Sequence, residues 1–295
     1  MKNSLIALSL VITLASCNSE KETKKVTIKK EPKMETIAKL SNKEKTIAVL
    51  KSIETGDKKA ISYINPNKYT QHNLSVADGL AGFGALLQLA PADGFKVKTI
   101  RAFQDGDYVF TQTVYDFFGP KVGFDVFRFE NGLIVEHWDN LIEVAAANPS
   151  KHTQTDGTTS NTDLDKTEAN KTLVSNFVND ILVNGKMEKL QGYFNGDHYI
   201  QHNPNIADGL SGLGQAIEAM AKQGIRMEYN TVHKVLGEGN FVLTISEGKF
   251  ANKPTSYYDL FRVEDGKIAE HWDVVETITP ETDRKNTNGK FNFPN

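Results

Sequence analysis

The chain has 295 residues, 39% of them apolar and 24% charged, with a formal net charge of −3 at pH 7. That length suits about two domains, and a slightly acidic chain offers no basic field for a phosphate backbone, which argues against nucleic-acid binding. Cys17 is the single cysteine, so an internal disulfide and a cysteine nucleophile in the folded part are both excluded.

Lys2 precedes an apolar run from Leu5 to Ala15, which is too short to span a bilayer and has the length of a signal-peptide core. The run ends in Leu14-Ala15-Ser16-Cys17, which resembles a bacterial lipobox. The resemblance implies a lipoprotein signal peptide over 1–16, a lipid on Cys17 and anchorage in the cell envelope. Asn18 rather than aspartate next to it resembles lipoproteins sorted to the outer membrane rather than the inner one. Residues 18–33 are rich in Lys and Glu with few apolar side chains, so 17–41 is expected to be a lipidated, flexible tether with a reach of roughly 25 Å.

A first domain is expected over 42–147. Ile47, Val49, Leu50 and Ile53 recur at helical spacing before Gly56, and a short helix follows near 58–64 and ends at Asn65-Pro66. Tyr69-Thr70-Gln71-His72-Asn73 comes next. Asp78 then stands at an N-cap position before a Gly-rich helix to about Ala90, whose Gly79, Gly82 and Gly84 suit close packing on a sheet. Strands are predicted near 95–103, 108–118, 122–130 and 133–144, with Asp105-Gly106 and Asn131-Gly132 as hairpin turns.

A Thr/Ser/Asn/Gly-rich linker over 148–163 shows no hydrophobic period and reads as flexible. The second domain, 164–278, repeats the order of the first. Helices are predicted over 165–183, 187–193 and 208–222, and strands over 225–236, 240–250, 255–263 and 267–277. A polar tail, 279–295, closes the chain. Each half is expected to fold alone, or the halves pack through their sheets as an intramolecular pseudo-dimer.

Two polar markers occur twice in the same order. Tyr69 to Asn73 followed by Ala77-Asp78-Gly79-Leu80 returns as Tyr199-Ile200-Gln201-His202-Asn203 followed by Ala207-Asp208-Gly209-Leu210. Glu136-His137-Trp138-Asp139 returns as Glu270-His271-Trp272-Asp273. Repeated polar residues cannot come from a shared hydrophobic pattern, so the chain reads as a tandem duplication.

The order of three helices then a four-strand meander resembles the SnoaL-like polyketide cyclase family, within the nuclear-transport-factor-2-like and ketosteroid-isomerase-like cone folds. The residues carrying the resemblance are Asp125, Phe127, Arg128, Glu130, Gly132, Ile134 and Glu136 to Asp139. In the second copy they are Asp259, Phe261, Arg262, Glu264, Gly266, Ile268 and Glu270 to Asp273. The fold class implied is α+β, two tandem cone-shaped domains, each with three N-terminal helices packed on a curved antiparallel sheet. The resemblance also places His72 and His202 at the mouth of a cone.

Alternation along a strand puts His137 and Asp139 on one face and Glu136 and Trp138 on the other. An aspartate inside an apolar cone has a raised pKa suited to a general base. The candidate catalytic residues are therefore Asp139 and Asp273 as bases, with His137, His271, His72 and His202 as orienters or acids. Tyr69, Tyr199, Asp125 and Asp259 are the candidate substrate-binding residues. Arg128 and Arg262 fall on the opposite face, beside Glu136 and Glu270. His72, His137 and Asp139 have the composition of a two-histidine, one-carboxylate metal site, but neither metal nor cofactor is expected. The residues fit cofactor-free acid/base chemistry of aldol, isomerase or cyclase type on a small apolar carbonyl compound. A non-catalytic small-molecule binding module or a protein-interaction scaffold remains the alternative.

Overall fold

The structure, a computed structural model, describes residues 40–294. The signal peptide, Cys17 and almost all of the tether lie outside the described residues. The architecture is α+β. Among the described residues no helix is long and apolar enough to cross a membrane.

The first half runs α1 (Asn42–Thr55), α2 (Lys58–Ile61), β1 (Thr70–Gln71), α3 (Gly79–Leu87), β2 (Lys96–Asp105), β3 (Tyr108–Asp116), β4 (Pro120–Glu130) and β5 (Leu133–Glu143). A capping box starts α1, with Ser41 and Glu44 each satisfying the other's backbone N–H, and Gly56 ends it at φ 69°. Val49 and Leu50 are buried, whereas Ile47 is exposed, so the inward face of α1 is narrower than the apolar spacing suggested.

The second half runs α4 (Thr167–Phe177), α5 (Leu190–Tyr193), β6 (Ile200–Gln201), α6 (Gly209–Lys222), β7 (Met227–Glu238), β8 (Phe241–Phe250), β9 (Lys253–Glu264) and β10 (Lys267–Thr277). A π-helical turn, Val178–Val183, continues α4.

Each half folds its strands into one five-stranded sheet, ordered β1-β5-β4-β3-β2 and β6-β10-β9-β8-β7. The meanders occupy the predicted segments. The fifth strand was not predicted: the Tyr-x-Gln-His marker itself pairs in parallel with the last strand, Gln71 opposite His137 and Gln201 opposite His271. Two residues are too few to show a strand period, which is why the pattern stayed silent.

Asp78 and Asp208 stand at helix N-caps but make no capping bond. Each carboxylate instead accepts the backbone N–H of the marker glutamine, Gln71 at 2.9 Å and Gln201 at 3.0 Å. Gly82 and Gly212 pack on the entry turn of their own helix rather than on the sheet. A Cβ there would lie 1.9 Å from the Ala77 carbonyl and 2.3 Å from that of Ala207.

The faces of the sheets turned away from the helices pack on each other. Phe103, Phe110, Val122, Phe124, Val126 and Trp138 form one buried cluster with Phe241, Leu243, Ile245, Tyr258, Leu260 and Trp272. Each such side chain contributes about 1.5–3 kcal/mol through burial. The contact is reciprocal at its rim. Asp105 accepts from Gly237 N and pairs with Lys171, while Glu238 accepts from Gln104 N and pairs with Lys43.

The segments after each last strand cross over. Asn148, in the segment read as a flexible linker, is buried and donates from Nδ2 to the carbonyls of Gln201 and Ile206. Arg101 holds the same segment through the carbonyls of Thr155 and Thr158. The C-terminal tail does the corresponding work on the first half. Asn286 Nδ2 donates to the carbonyls of Asn73 and Val76, and Phe293 stacks on Trp138 at 4.5 Å. Composition read the segment as free because its polar side chains bond to backbone rather than bury apolar surface.

Replacing Asn148 or Asn286 with Ala removes the two side-chain hydrogen bonds that each makes to backbone carbonyls, although Asn73 O still accepts from Val76 N. Each substitution is expected to lower stability by about 1–3 kcal/mol, measured as a shift in the urea unfolding midpoint. Midpoints unchanged in both variants would show that the crossed segments contribute nothing.

Candidate functional site

Each half holds a cavity between its helices and its sheet. The first encloses about 240 Å³ and is lined by apolar residues of α1 and α3, among them Val49, Leu50 and Phe83, with Phe127 from the sheet. The second encloses about 600 Å³ and is lined by Leu213 and Met220 of α6 and by Phe261, and it also reaches Ile142 of the first half.

The same polar set enters both. Tyr69, Gln71, Asn73, Tyr115, Asp125, His137 and Asp139 line the first cavity. Tyr199, Gln201, Asn203, Tyr229, Asp259, His271 and Asp273 line the second. The pleat produces this selection. His137 and Asp139 alternate on β5 with Glu136 and Trp138, and Asp125 faces Asp139 directly across the β4–β5 ladder. Asp259 faces Asp273 in the same way.

His72 and His202 do not line either cavity, which corrects their expected place at the mouth of a cone. Within the marker, Gln71 and Asn73 point inward and His72 points to the other face. There it stacks on Trp138 with ring centroids 4.4 Å apart, and its Nδ1 lies 2.7 Å from the Gly289 carbonyl oxygen. Burial pushes its imidazole below the usual pKa, against the pull of the Gly289 carbonyl. His202 stacks on Trp272 at 4.6 Å and meets Glu270 through Nε2 at 2.8 Å. Arg262 Nε holds that glutamate at 2.6 Å, and Arg128 holds Glu136 likewise. Burial raises the Glu270 carboxyl, but the bonds from His202 and Arg262 outweigh it and leave it below its usual value. The set His72, His137 and Asp139 therefore does not assemble.

The residues missed from the sequence are Gln71, Asn73, Tyr115 and their counterparts Gln201, Asn203 and Tyr229. Strand alternation applied to the marker would have found the first two, since Tyr69, Gln71 and Asn73 share a parity that His72 does not.

The cavity groups form one connected network. Gln71 Oε1 accepts from Asn73 N at 2.8 Å, which identifies that atom as the oxygen. His137 Nδ1, 3.2 Å from it, must therefore donate. His137 Nε2 lies 3.2 Å from Asp125 Oδ1, so one proton sits between the imidazole and that carboxylate. Tyr115 donates to the other Asp125 oxygen at 2.6 Å. In the second cavity His271 bridges Gln201 Oε1 at 3.1 Å and Asp259 Oδ1 at 3.0 Å, and Tyr229 reaches the same Asp259 carboxylate.

The remaining aspartate is held differently. Asp139 Oδ2 accepts from Asn73 Nδ2 at 3.0 Å, and Asp273 Oδ2 accepts from Asn203 Nδ2 at 2.7 Å. Among the described residues, Oδ1 of each is buried without a hydrogen-bond partner. Burial raises the Asp125 carboxyl, opposed by His137, and raises the Asp273 carboxyl, opposed by the charge of His271. Burial and the neighbouring aspartates also push the Tyr69 and Tyr199 phenols up, so both remain hydrogen-bond donors.

Asp125, His137 and Asp139 bring one ligand atom each within 4.8 Å of one another, as do Asp259, His271 and Asp273. These are the groups that could gather round a cation in the cavities. One nitrogen and two carboxylates already engaged by tyrosine and asparagine suit a proton network better than a transition-metal site.

No family model matches the sequence, and no curated protein matches it. Similar solved structures include TsrD from Streptomyces laurentii, at 18% identity and a TM-score of 0.29 over 33% of this chain and 85% of that one. IdmH, a putative polyketide cyclase from Streptomyces antibioticus, is similar at 18% identity and a TM-score of 0.30, over 35% and 92%. An LEH-like epoxide hydrolase of M. tuberculosis is similar at 20% identity and 0.30, over 34% and 82%.

The raised carboxyls have a consequence for stability. The folded state keeps a proton on Asp273 that the unfolded chain releases near pH ~4, so stability falls as pH rises from there through the folded pKa. Asp273→Asn stays neutral throughout and is spared this loss. The urea midpoint of the variant, relative to the unsubstituted protein, is expected to improve as pH rises from about 4 and to level off above the folded carboxyl's pKa. A difference that does not change with pH would show that the carboxyl is not raised.

Proposed function

We propose that both cavities bind a small apolar carbonyl compound and move a proton on it, with Asp139 and Asp273 as the bases. The observation carrying this is the unpartnered Oδ1 of each aspartate in the wall of an apolar cavity. A buried acceptor left without a donor is destabilising unless a ligand supplies one, and the same atom is left open in both halves. Asn73 and Asn203 hold the other oxygen and orient the carboxylate.

In this reading Oδ1 takes a proton from the carbon next to the carbonyl. Tyr69 donates to the oxygen as negative charge grows there. Tyr199 already accepts from Gln201 Nε2 at 3.3 Å, which turns its own proton outward for the same task. The proton shared by Asp125 and His137 keeps that pair from carrying a second full negative charge opposite Asp139, and the open acceptor that faces the ligand is Asp139 Oδ1. Enolisation, isomerisation and aldol-type cyclisation all begin with this step.

The test is deuterium incorporation into small apolar ketones and enones in deuterated buffer, followed by NMR. Asp139→Asn with Asp273→Asn is expected to slow exchange about 10²–10⁴-fold while the fold is retained, and each single variant removes one cavity's share. Exchange as fast in the double variant removes the aspartates as bases. Saturable ligand binding without exchange by the unsubstituted protein establishes the binding module instead.

The same reading places the two cavities at the cell envelope, on a lipid attached to Cys17 and with the halves acting as an internal pseudo-dimer from one duplicated domain. The support is the lipobox-like Leu14-Ala15-Ser16-Cys17 at the end of a short apolar run. Cys17→Ser is expected to leave an uncleaved precursor that no longer carries lipid by intact mass. An unmodified mature terminus elsewhere overturns the anchor.

A further inference from the structure

We propose that His152, Asp156 and His202 form a site for one divalent transition-metal ion of the zinc class, separate from both cavities. The three side chains bring ligand atoms within 4.8 Å of one another. His202 Nδ1 lies 2.7 Å from Asp156 Oδ1, and His152 Nδ1 lies 3.4 Å from Asp156 Oδ2. Donors around a tetrahedral zinc stand about 3.3 Å apart, given bonds of about 2.0–2.1 Å. The two separations run to the two oxygens of Asp156; the one to His152 is already that of neighbouring ligands, and the one to His202 opens by less than an ångström when the ion replaces the hydrogen bond.

The groups behind the ligands complete the case. A histidine that ligates through one nitrogen donates its other N–H to a carboxylate or carbonyl, which fixes ring and tautomer. Both histidines have such a carboxylate. His202 Nε2 lies 2.8 Å from Glu270 Oε1, and His152 Nε2 lies 3.3 Å from Asp208 Oδ2. Both Nδ1 atoms are thereby turned towards the same aspartate. Two imidazoles and one carboxylate are a donor set that suits zinc, iron, cobalt or nickel better than calcium or magnesium.

The backbone carrying Asp156 is held firmly. Its carbonyl accepts from Trp272 Nε1 at 3.0 Å and from Arg101. Gly157 follows at φ +86°, where a Cβ would lie 2.2 Å from Glu270 Oε1, so only glycine lets the loop close over His202 and Glu270. His202 is buried, whereas His152 and Asp156 face an open depression, which leaves an entry path and a coordination position for solvent. His202 Nδ1 also lies 2.9 Å from the Thr153 carbonyl oxygen, as His72 Nδ1 lies 2.7 Å from that of Gly289, but among the described residues His72 belongs to no such cluster of ligand atoms. A bound ion would fasten the crossed segment of the first half onto the second.

The test uses the untagged full chain with Cys17→Ser, which removes the one thiol, stripped of metal and titrated with Zn²⁺ by calorimetry. Co²⁺ serves as a spectroscopic probe. One saturable equivalent per chain and the intense visible band of four-coordinate cobalt are expected. His152→Ala and Asp156→Ala are each expected to weaken binding at least tenfold while the metal-free variants remain folded by circular dichroism. The variant with Asp139→Asn and Asp273→Asn is expected to bind as tightly as its parent. Absence of saturable binding overturns the site. So does unchanged affinity in both the His152 and Asp156 variants, or loss of binding on changing the cavity aspartates instead.

Discussion

Trp138 and Trp272 are fully buried between the two sheets, and their neighbours in the chain, His137, Asp139, His271 and Asp273, face the two cavities. A strand can divide its side chains this way only because successive residues point to opposite faces. The last strand of each half therefore serves two surfaces at once, the seam that joins the halves and the wall of the cavity. Removing either indole would open a cavity costing about 3–5 kcal/mol, and the strain would fall on the strand that positions the carboxylates. Seam and site are coupled through this pleat rather than through any longer route.

The crossed segments strengthen that dependence. The chain leaving β5 closes over His202 and Trp272, and the chain leaving β10 closes over His72 and Trp138. Each histidine of the marker is thus a closing contact, stacked on a tryptophan and bonded to a segment that arrives from the other half. Neither half retains its complete surroundings if the two are separated, because each supplies the polar cover of the other. The expectation that either half folds alone meets this directly, since separation would expose a tryptophan face and unpair buried backbone carbonyls in both.

Much of this was readable from the sequence because it rests on local periodicity. The meander strands, the inward parity of His137 with Asp139 and the outward pairing of Arg128 with Glu136 follow from a period of two and from turn residues at fixed positions. What failed to show depends on contacts distant in the chain. The two-residue strand at Gln71 exists only because β5 offers its edge. Asn148 and Asn286 bind carbonyls that no local pattern links to them. His72 was assigned to the cavity through resemblance, although its parity relative to Tyr69 already set it on the opposite face.

The two cavities share their polar groups and differ in size, and the difference has a visible source. α6 has 14 residues where α3 has 9; its added turn carries Ala219 and Met220 along the second cavity, and Ala216 stands where α3 has Leu86. Small side chains on a longer helix widen the space, while Phe83 and Leu86 narrow the first cavity from the shorter one. The sheet holds the carboxylate, histidine and tyrosine at fixed register, so the helices vary in length without disturbing them. Retaining one chemistry while changing the volume beside it is what would let a single chain accept two ligands of different size. A seam that fixes both sheets rigidly is the condition that leaves the helices free to differ.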